Sequence, residues 1–414
     1  MAAIDERLIF NGQRSIKGAL TLSLAGWLGV GIGLFTARVA THFAYLTAFT
    51  FVASIALGAL VFLMTTYVVG ARWNAVIRRL NESIVSIFPL LALCFLPIAF
   101  GLDDLYLWAN PPASLPEHEL HALLHKHAYL NEPFFLLRSA LYFVIWSGSA
   151  ALLCRWSLSG DGAALPPEAG REPPAGDDVN PNLPRPHAVP RAFSSAVLPL
   201  VALALTFASF DWLMSLQPFW MSSIFGVYYF AGGFVASLGL LATLAYAAQR
   251  SSAGDVIRPS HFYALGRLML GFTIFWAYNA FFQALLISLP NRPEEVVFYL
   301  TRLKGGWHVV AWALAIVRFV VPFFLLLPRR IKFQGRVMAV LGLWLVFGHY
   351  IDMYWLVVPV YTEHGPLPTI WDLAALCAVA GPCIAFAAWR LHGRAIIPVG
   401  DPVLQQSIQY RSPL

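Results

Sequence analysis

The chain has 414 residues, 59% of them hydrophobic and only 12% charged, with a mean hydropathy of +0.67 and a formal net charge of +6. That balance excludes a soluble globular domain. The pI near 9.2 follows from loop charges that set membrane topology, so it gives no support to nucleic-acid binding.

Runs of about 20 apolar residues, enough for a helix to cross about 30 Å of hydrocarbon, recur ten times. They fall near 18–36, 43–69, 84–108, 131–154, 192–216, 221–248, 262–289, 306–327, 336–361 and 369–390. Because the runs are continuous rather than alternating, a β-barrel is excluded. The expected fold is an all-α polytopic membrane protein. The first run is long and lacks a convincing small-residue cleavage site, so it reads as an anchor rather than a cleaved leader.

Even-numbered crossing puts both termini on one side, with the loops after spans two, four, six and eight. Those regions carry Arg7, Arg14, Lys17, Arg72, Arg78, Arg79, Arg250, Arg258, Arg329, Arg330, Lys332, Arg336, Arg390 and Arg394. The opposite loops offer only Arg38, Lys126, Arg292, Arg302 and Lys304. The positive-inside rule then places both termini in the cytoplasm.

Between Asn110 and Asn131 an outer segment contains an amphipathic stretch with His118, His121 and His125 on one face. Three such imidazoles can bind a metal, but in a polar loop a solvated or membrane-interface face is the better explanation. From 157 to 190 a Pro-, Gly- and acid-rich segment reads as a flexible cytoplasmic linker. The four cysteines, Cys94, Cys154, Cys377 and Cys383, form no Cys-x-x-Cys pair. An iron–sulfur centre or attached haem c therefore lacks its ligands in this chain. Intramembrane haem has only His308 and His349 as candidates, and their depths do not match.

A repeat runs through the helices. Phe207-Ala-Ser-Phe-Asp211-Trp212 and Gly348-His349-Tyr-Ile-Asp352-Met-Tyr-Trp355 place an acid before a Trp in the fifth and ninth spans. Spans two and six share small-residue faces, Ala56-Leu-Gly58-Ala59 and Ala231-Gly232-Gly233, which permit close approach. Spans two to five and six to nine thus read as two four-helix bundles with two flanking helices. The expected organisation is residues 1–42 for the N-terminal segment and first helix, 43–216 for the first bundle, 221–361 for the second, and 362–414 for the last helix and tail.

A carboxylate in a lipid-spanning helix costs roughly 2.5–3.5 kcal/mol on insertion scales. Asp103, Asp104, Asp211 and Asp352 are expected in the outer parts of outward-running spans, with Arg138 at similar depth, His349 one turn from Asp352, and His308 near the outer surface. Such a mix suits a proton relay, and inert pairing of Arg138 with Asp103, Asp104 or Asp211 explains it as well. The inner half reads as poorer: Arg318 near mid-membrane, with the hydroxyls of Ser54, Thr65, Thr66, Thr243 and Tyr246. Aromatic clusters such as Phe275-Trp276 and Tyr354-Trp355 fit either a quinone pocket or interface anchors, and composition alone favours the anchors.

Several segments together resemble one family. They are Leu80-Asn81-Glu82, Gly101-Leu-Asp103-Asp104-Leu-Tyr106-Leu-Trp108, His127-Ala-Tyr129-Leu-Asn131-Glu132-Pro133-Phe134-Phe135, Phe210-Asp211-Trp212-Leu-Met-Ser-Leu-Gln217-Pro218, Asn279-Ala-Phe-Phe-Gln283 and Gly348-His349-Tyr-Ile-Asp352. The chain is similar to the NrfD-like (polysulfide-reductase membrane subunit) superfamily, and within it to the second such subunit of bacterial alternative complex III, a quinol:cytochrome c oxidoreductase. The resemblance implies two four-helix bundles flanked by two helices in the bacterial cytoplasmic membrane. Its implied partners are an iron–sulfur subunit, multihaem and monohaem cytochrome c subunits, a sister NrfD-like subunit and, in some assemblies, a terminal oxidase. Those partners would hold the haem c and iron–sulfur clusters, while this chain, binding no cofactor covalently and not catalytic alone, conducts protons and is open to quinol or menaquinol contact. The implied proton-path positions are Asp103, Asp104, Arg138, Asp211, His349 and Asp352, followed by Glu132 and His308.

Two other readings make different demands. A secondary transporter predicts interrupted helices at matching repeat positions and a site near the midplane. A purely structural anchor predicts ion pairs without chemical consequence.

Overall fold

Span two, Arg38–Val68, is apolar on every side, and 94% of its most hydrophobic window is buried. A helix that is hydrophobic all round has no face for solvent and packs at the centre; the remaining spans are arranged around it. The computed structural model describes residues 8–162, 187–251, 253–289, 293–362 and 365–412. Among them, ten helices are long and apolar enough to cross a membrane: Gln13–Thr36, Arg38–Val68, Ala75–Phe100, Glu132–Asp161, Ala188–Leu216, Phe225–Ser251, Pro259–Ser288, Trp307–Leu326, Gly335–Val360 and Ile370–Leu391. The chain is a multi-pass, all-α membrane protein. All ten expected spans are present. Most of the expected linker (163–186) lies outside the described residues, whereas 157–162 continue the fourth span as helix.

Spans two to five form one bundle and spans six to nine another, with spans two and six packed together between them. The small residues read from the sequence make that contact. A Cβ on Gly58 would lie 2.7 Å from the Gly233 carbonyl oxygen and 2.7 Å from the Phe234 Cα, closer than real Cβ contacts. Glycine here lets the backbones touch, the usual means of holding membrane helices that lack a hydrophobic drive to associate. Spans one and ten pack along each other and lean on span two. Where Gly381 of span ten meets the Ser23 backbone of span one, a Cβ would come within 2.8 Å.

Two spans are irregular. Span three is divided into Ala75–Val85, Phe88–Cys94 and Leu96–Phe100, with Pro89 and Pro97 at the starts of the later pieces, where a missing N–H is tolerated. Span eight contains a π-helical turn, Ala315–Val320, ahead of Pro322. Pro322 cannot donate to the carbonyl four residues earlier, so the ladder opens at Arg318. The equivalents of these spans in the other bundle, seven and four, are continuous helices, Pro259–Ser288 and Glu132–Gly162. Interruptions therefore do not fall at matching repeat positions.

The chain termini meet at one end of the molecule. Ile9 bridges Ala395, Phe10 N donates to the Arg394 carbonyl at 3.0 Å, and a short helix, Leu404–Ile408, folds back against the start of span three. We call this the termini end and the opposite one the far end.

Candidate functional site

Each bundle holds one buried Arg–Asp–Tyr cluster whose ion pair joins its last two spans. In the first, Arg138 of span four grips Asp211 of span five with two parallel bonds, Nε to Oδ2 at 2.9 Å and Nη2 to Oδ1 at 2.8 Å. Such a bidentate fork is the strongest arrangement available to this pair. Tyr142, one helical turn beyond Arg138, donates to Asp211 Oδ2 at 2.7 Å. The third guanidinium nitrogen donates to the Tyr129 carbonyl at 2.9 Å, and the Tyr129 and Phe134 rings lie 3.8 and 4.3 Å from the guanidinium carbon. Asp211 is fully buried. Beside it, Trp212 Nε1 donates to Ser139 Oγ at 3.1 Å, and the Tyr106 hydroxyl donates to the Trp212 carbonyl at 3.0 Å.

The second bundle repeats this plan with one addition. Arg318 of span eight pairs with Asp352 of span nine, and the Tyr228 hydroxyl of span six donates to the other carboxylate oxygen. Trp276 covers the guanidinium at 4.3 Å, and Gly232 supplies a carbonyl at 3.3 Å. The addition is His349, one turn before Asp352. Its Nδ1 lies 3.0 Å from Arg318 Nη1 and 4.0 Å from Asp352 Oδ2. Its Nε2 lies 2.7 Å from the hydroxyl of Ser54 on span two. Because Arg318 can only donate, Nδ1 accepts and Nε2 carries the proton, which it gives to Ser54 Oγ. This bond crosses from one bundle to the other. Arg318, His349 and Asp352 are at most 2% exposed.

Other expected residues lie elsewhere. The helix of span three ends at Phe100, and Asp103 and Asp104 sit beyond it on the turn Leu102–Leu105. Asp103 is exposed. Asp104 pairs with Arg38 Nε at 2.7 Å and approaches His42 Nδ1 at 2.9 Å. Both therefore leave the Arg138 cluster, because the helix of span three stops at Gly101, whose backbone departs from helical geometry. Glu132 at the start of span four and His308 near the start of span eight are exposed and join neither cluster. On the far-end helix Glu117–Lys126, the His121 and His125 rings lie 4.7 Å apart, while His118 faces a cavity. Among the described residues, no three His, Cys, Asp or Glu side chains gather with metal-site geometry.

The cavity is at the far end, holds about 910 Å³, and lies where the two bundles meet. Asp103, Asp104, Tyr106, Lys126, Gln217 and Trp220 are among its walls. Lys126 closes one side by donating to the Pro218 carbonyl at 2.6 Å, and burial holds its amine below the usual lysine range. Behind the cavity Arg302 is 1% exposed, and among the described residues no carboxylate pairs with it. It donates to Gln217 Oε1 (2.6 Å), the Phe298 carbonyl (2.9 Å) and the Leu356 carbonyl (2.5 Å), and its guanidinium carbon lies 3.6 Å from the Phe298 ring centre. Tyr106 lines the cavity and also bonds the residue after Asp211, so the first cluster lies one side chain below it.

No family model matches this chain, and no curated protein matches it significantly.

The buried charges at the termini end were not legible in the sequence. Arg78 and Arg79, counted as loop cations, are buried in the first turns of span three. Arg78 pairs with Asp401 of the C-terminal segment; Arg79 pairs with Asp161, and its Nη1 lies 3.1 Å from Glu82 Oε2. Arg318 was expected among the sparse inner groups yet belongs to the Asp352 cluster. The signal for it was present: Arg138 and Arg318 lie on the spans that precede the two acid-bearing helices, so the repeat includes the arginine.

Proposed function

We propose that this chain is a proton-conducting membrane subunit of a respiratory quinol:cytochrome c oxidoreductase of the alternative complex III kind, in the NrfD-like superfamily. The observation that carries the reading is the duplicated Arg–Asp–Tyr cluster, the second copy of which reaches span two of the first bundle through His349 and Ser54. A buried acid held by an arginine and a tyrosine hydroxyl is a site where a proton can be bound and released, and an imidazole beside it supplies a mobile one. Electrons would pass through partner chains: an iron–sulfur subunit, multihaem and monohaem cytochromes c, and a sister NrfD-like subunit, with a terminal oxidase in some assemblies. The far-end cavity, with its aromatic and carboxylate walls, is where quinol or menaquinol contact would fall. In this reading the protein resides in the bacterial cytoplasmic membrane, the termini end faces the cytoplasm, and the far end faces outward. Solubilisation in mild detergent followed by haem staining and mass spectrometry of co-purifying chains tests it. Recovery of the chain alone, with no haem or iron–sulfur partner, refutes it.

The transporter reading requires paired helix interruptions. The interruptions in spans three and eight are not paired, which places that reading behind.

A further inference from the structure

We infer that Trp344 of span nine is a positioning residue: its indole N–H holds the π turn of span eight in the form that keeps Arg318 on Asp352 and His349. This role deepens the proposed function at the same cluster and takes its consequence from that reading. How the turn is held stands apart from it.

The turn lacks a donor for reasons written in its sequence. In a regular helix the Val317 carbonyl takes the amide of Val321. Here that amide donates to the Ile316 carbonyl, five residues back, as the π turn Ala315–Val320 requires. A π-type bond to Val317 would have to come from residue 322, which is Pro and has no N–H. The Val317 carbonyl is therefore orphaned by its own helix. It sits near the middle of Trp307–Leu326, where hydrocarbon offers no water to replace the bond. Trp344 Nε1 supplies it, at 2.8 Å. Trp344 is 39% exposed, so its place on span nine is explained by the donor it carries rather than by core packing.

Trp344 is also the first member of a row. Trp344, Gly348 and Asp352 are spaced four apart and form one ridge of span nine. Each meets a different part of the same turn: Trp344 bonds the Val317 carbonyl, Gly348 faces the stem of Arg318, and Asp352 takes its guanidinium. A Cβ on Gly348 would lie 3.0 Å from Arg318 Cγ and 3.3 Å from Val317 Cγ1, so a larger residue would push the stem away. Arg318 is thus fixed at both ends. Its backbone is held by the neighbouring Val317–Trp344 bond, and its guanidinium by Asp352, the Gly232 carbonyl at 3.3 Å and His349 Nδ1 at 3.0 Å. Slipping the turn by one residue into a regular helix would swing the side chain by about 100° and take it off Asp352. The first bundle needs no such catch, because Arg138 lies on the continuous helix Glu132–Gly162.

Unfolding of the full-length protein in one detergent tests this. The variants are Trp344→Phe, which keeps a ring and removes the N–H, Asp352→Asn, and the two combined. Trp344→Phe should raise the unfolding equilibrium constant roughly 5- to 30-fold. The factor by which Asp352→Asn raises that constant should then shrink by about fivefold or more when Trp344→Phe is already present. A ring that merely packs would leave the factor unchanged. Gly348→Ala, which crowds the arginine stem, should shrink it in the same way and provides a second variant of the same row. Pro322→Ala restores a backbone N–H beside the orphaned carbonyl, so Trp344→Phe should cost less in that background. Unchanged stability of Trp344→Phe, an equal cost of Trp344→Phe with Pro322 or Ala at that position, or additivity of Asp352→Asn with both Trp344→Phe and Gly348→Ala overturns the assignment. Proton coupling is measured separately, so a failure of the proposed function leaves these results readable.

Discussion

Removing Arg138 and removing Asp211 are not equivalent, and the difference tests how the first cluster is held. Arg138→Met leaves a carboxylate with 0% exposure and Tyr142 as its side-chain donor. Asp211→Leu leaves a guanidinium that is 8% exposed, still bonded to the Tyr129 carbonyl and lying against two aromatic faces. Breaking a buried pair costs about 3–5 kcal/mol because the survivor keeps its desolvation penalty. The arginine retains a carbonyl and cation–π contacts worth about 0.5–2 kcal/mol, so Arg138→Met is expected at the upper end and Asp211→Leu at the lower. The double variant removes both charges and leaves the Tyr142 hydroxyl without its acceptor, a cost of about 1–3 kcal/mol. It should therefore be more stable than Arg138→Met. Unfolding of all four proteins in one detergent, arranged as a double-mutant cycle, gives the coupling, expected near the upper part of the usual range of about 0.5–3 kcal/mol. Additive effects of the two singles would refute the argument, since independent residues cannot share a desolvation penalty.

Three further outcomes follow from the geometry. Gly58→Leu should destabilise the protein by at least about 1–3 kcal/mol, because its Cβ would meet the Gly233 carbonyl at 2.7 Å; unfolding in detergent measures it, and a neutral result excludes close backbone contact of spans two and six. Burial favours the neutral form of Asp401, but the His187 hydrogen bond and the Arg78 charge outweigh it and hold the carboxyl below the usual aspartate range. Its contribution to docking of the C-terminal segment is then complete above the ordinary carboxylate pKa and lost as pH falls through the depressed one, so protease cleavage of the tail should rise as the solution is taken into strong acid. On the proposed function, Asp352→Asn should abolish proton-coupled quinol oxidation by the complex, with the partner haems still reducible; unchanged coupling would favour an inert anchor.

The spans were legible because lipid imposes a length and a composition that any sequence displays. The two-bundle repeat was legible from Asp211 and Asp352, and the Gly58 and Gly233 faces met as their small residues required. Arg318 was harder to place, since counting residues along a helix assumes a regular rise, and the π turn at Ala315–Val320 re-aims its side chain. Asp103 and Asp104 were set too deep because the apolar run continues past Gly101 while the helix does not. Arg78 and Arg79 could not be read as buried at all. Their partners, Asp401 and Asp161, are remote in sequence, and a charge count cannot see an ion pair closed by a returning tail.

The two clusters differ in a way that bears on direction. The first ends on the Tyr129 carbonyl within its own bundle, whereas the second extends through His349 to Ser54 on the central helix. Ser54 lies on the face of span two that also bears Thr47 and Thr50, whose hydroxyls bond the Phe43 and Leu46 carbonyls, and Tyr229 donates to the Thr50 carbonyl at 2.8 Å. Polar groups thus form a stripe along the buried centre, where hydroxyls are costly unless bonded. Ser54→Ala separates structure from transfer. It leaves one buried imidazole N–H without a partner, a loss of about 1–3 kcal/mol, with no steric change at Gly58 or Gly233. Its effect on proton coupling should exceed that of Thr47→Val, which removes a hydroxyl bonded only to its own helix. With the proposed function as the readout, protons released per cytochrome c reduced by the complex, equal effects of the two substitutions would mean that His349 and Ser54 hold the bundles together and carry no proton.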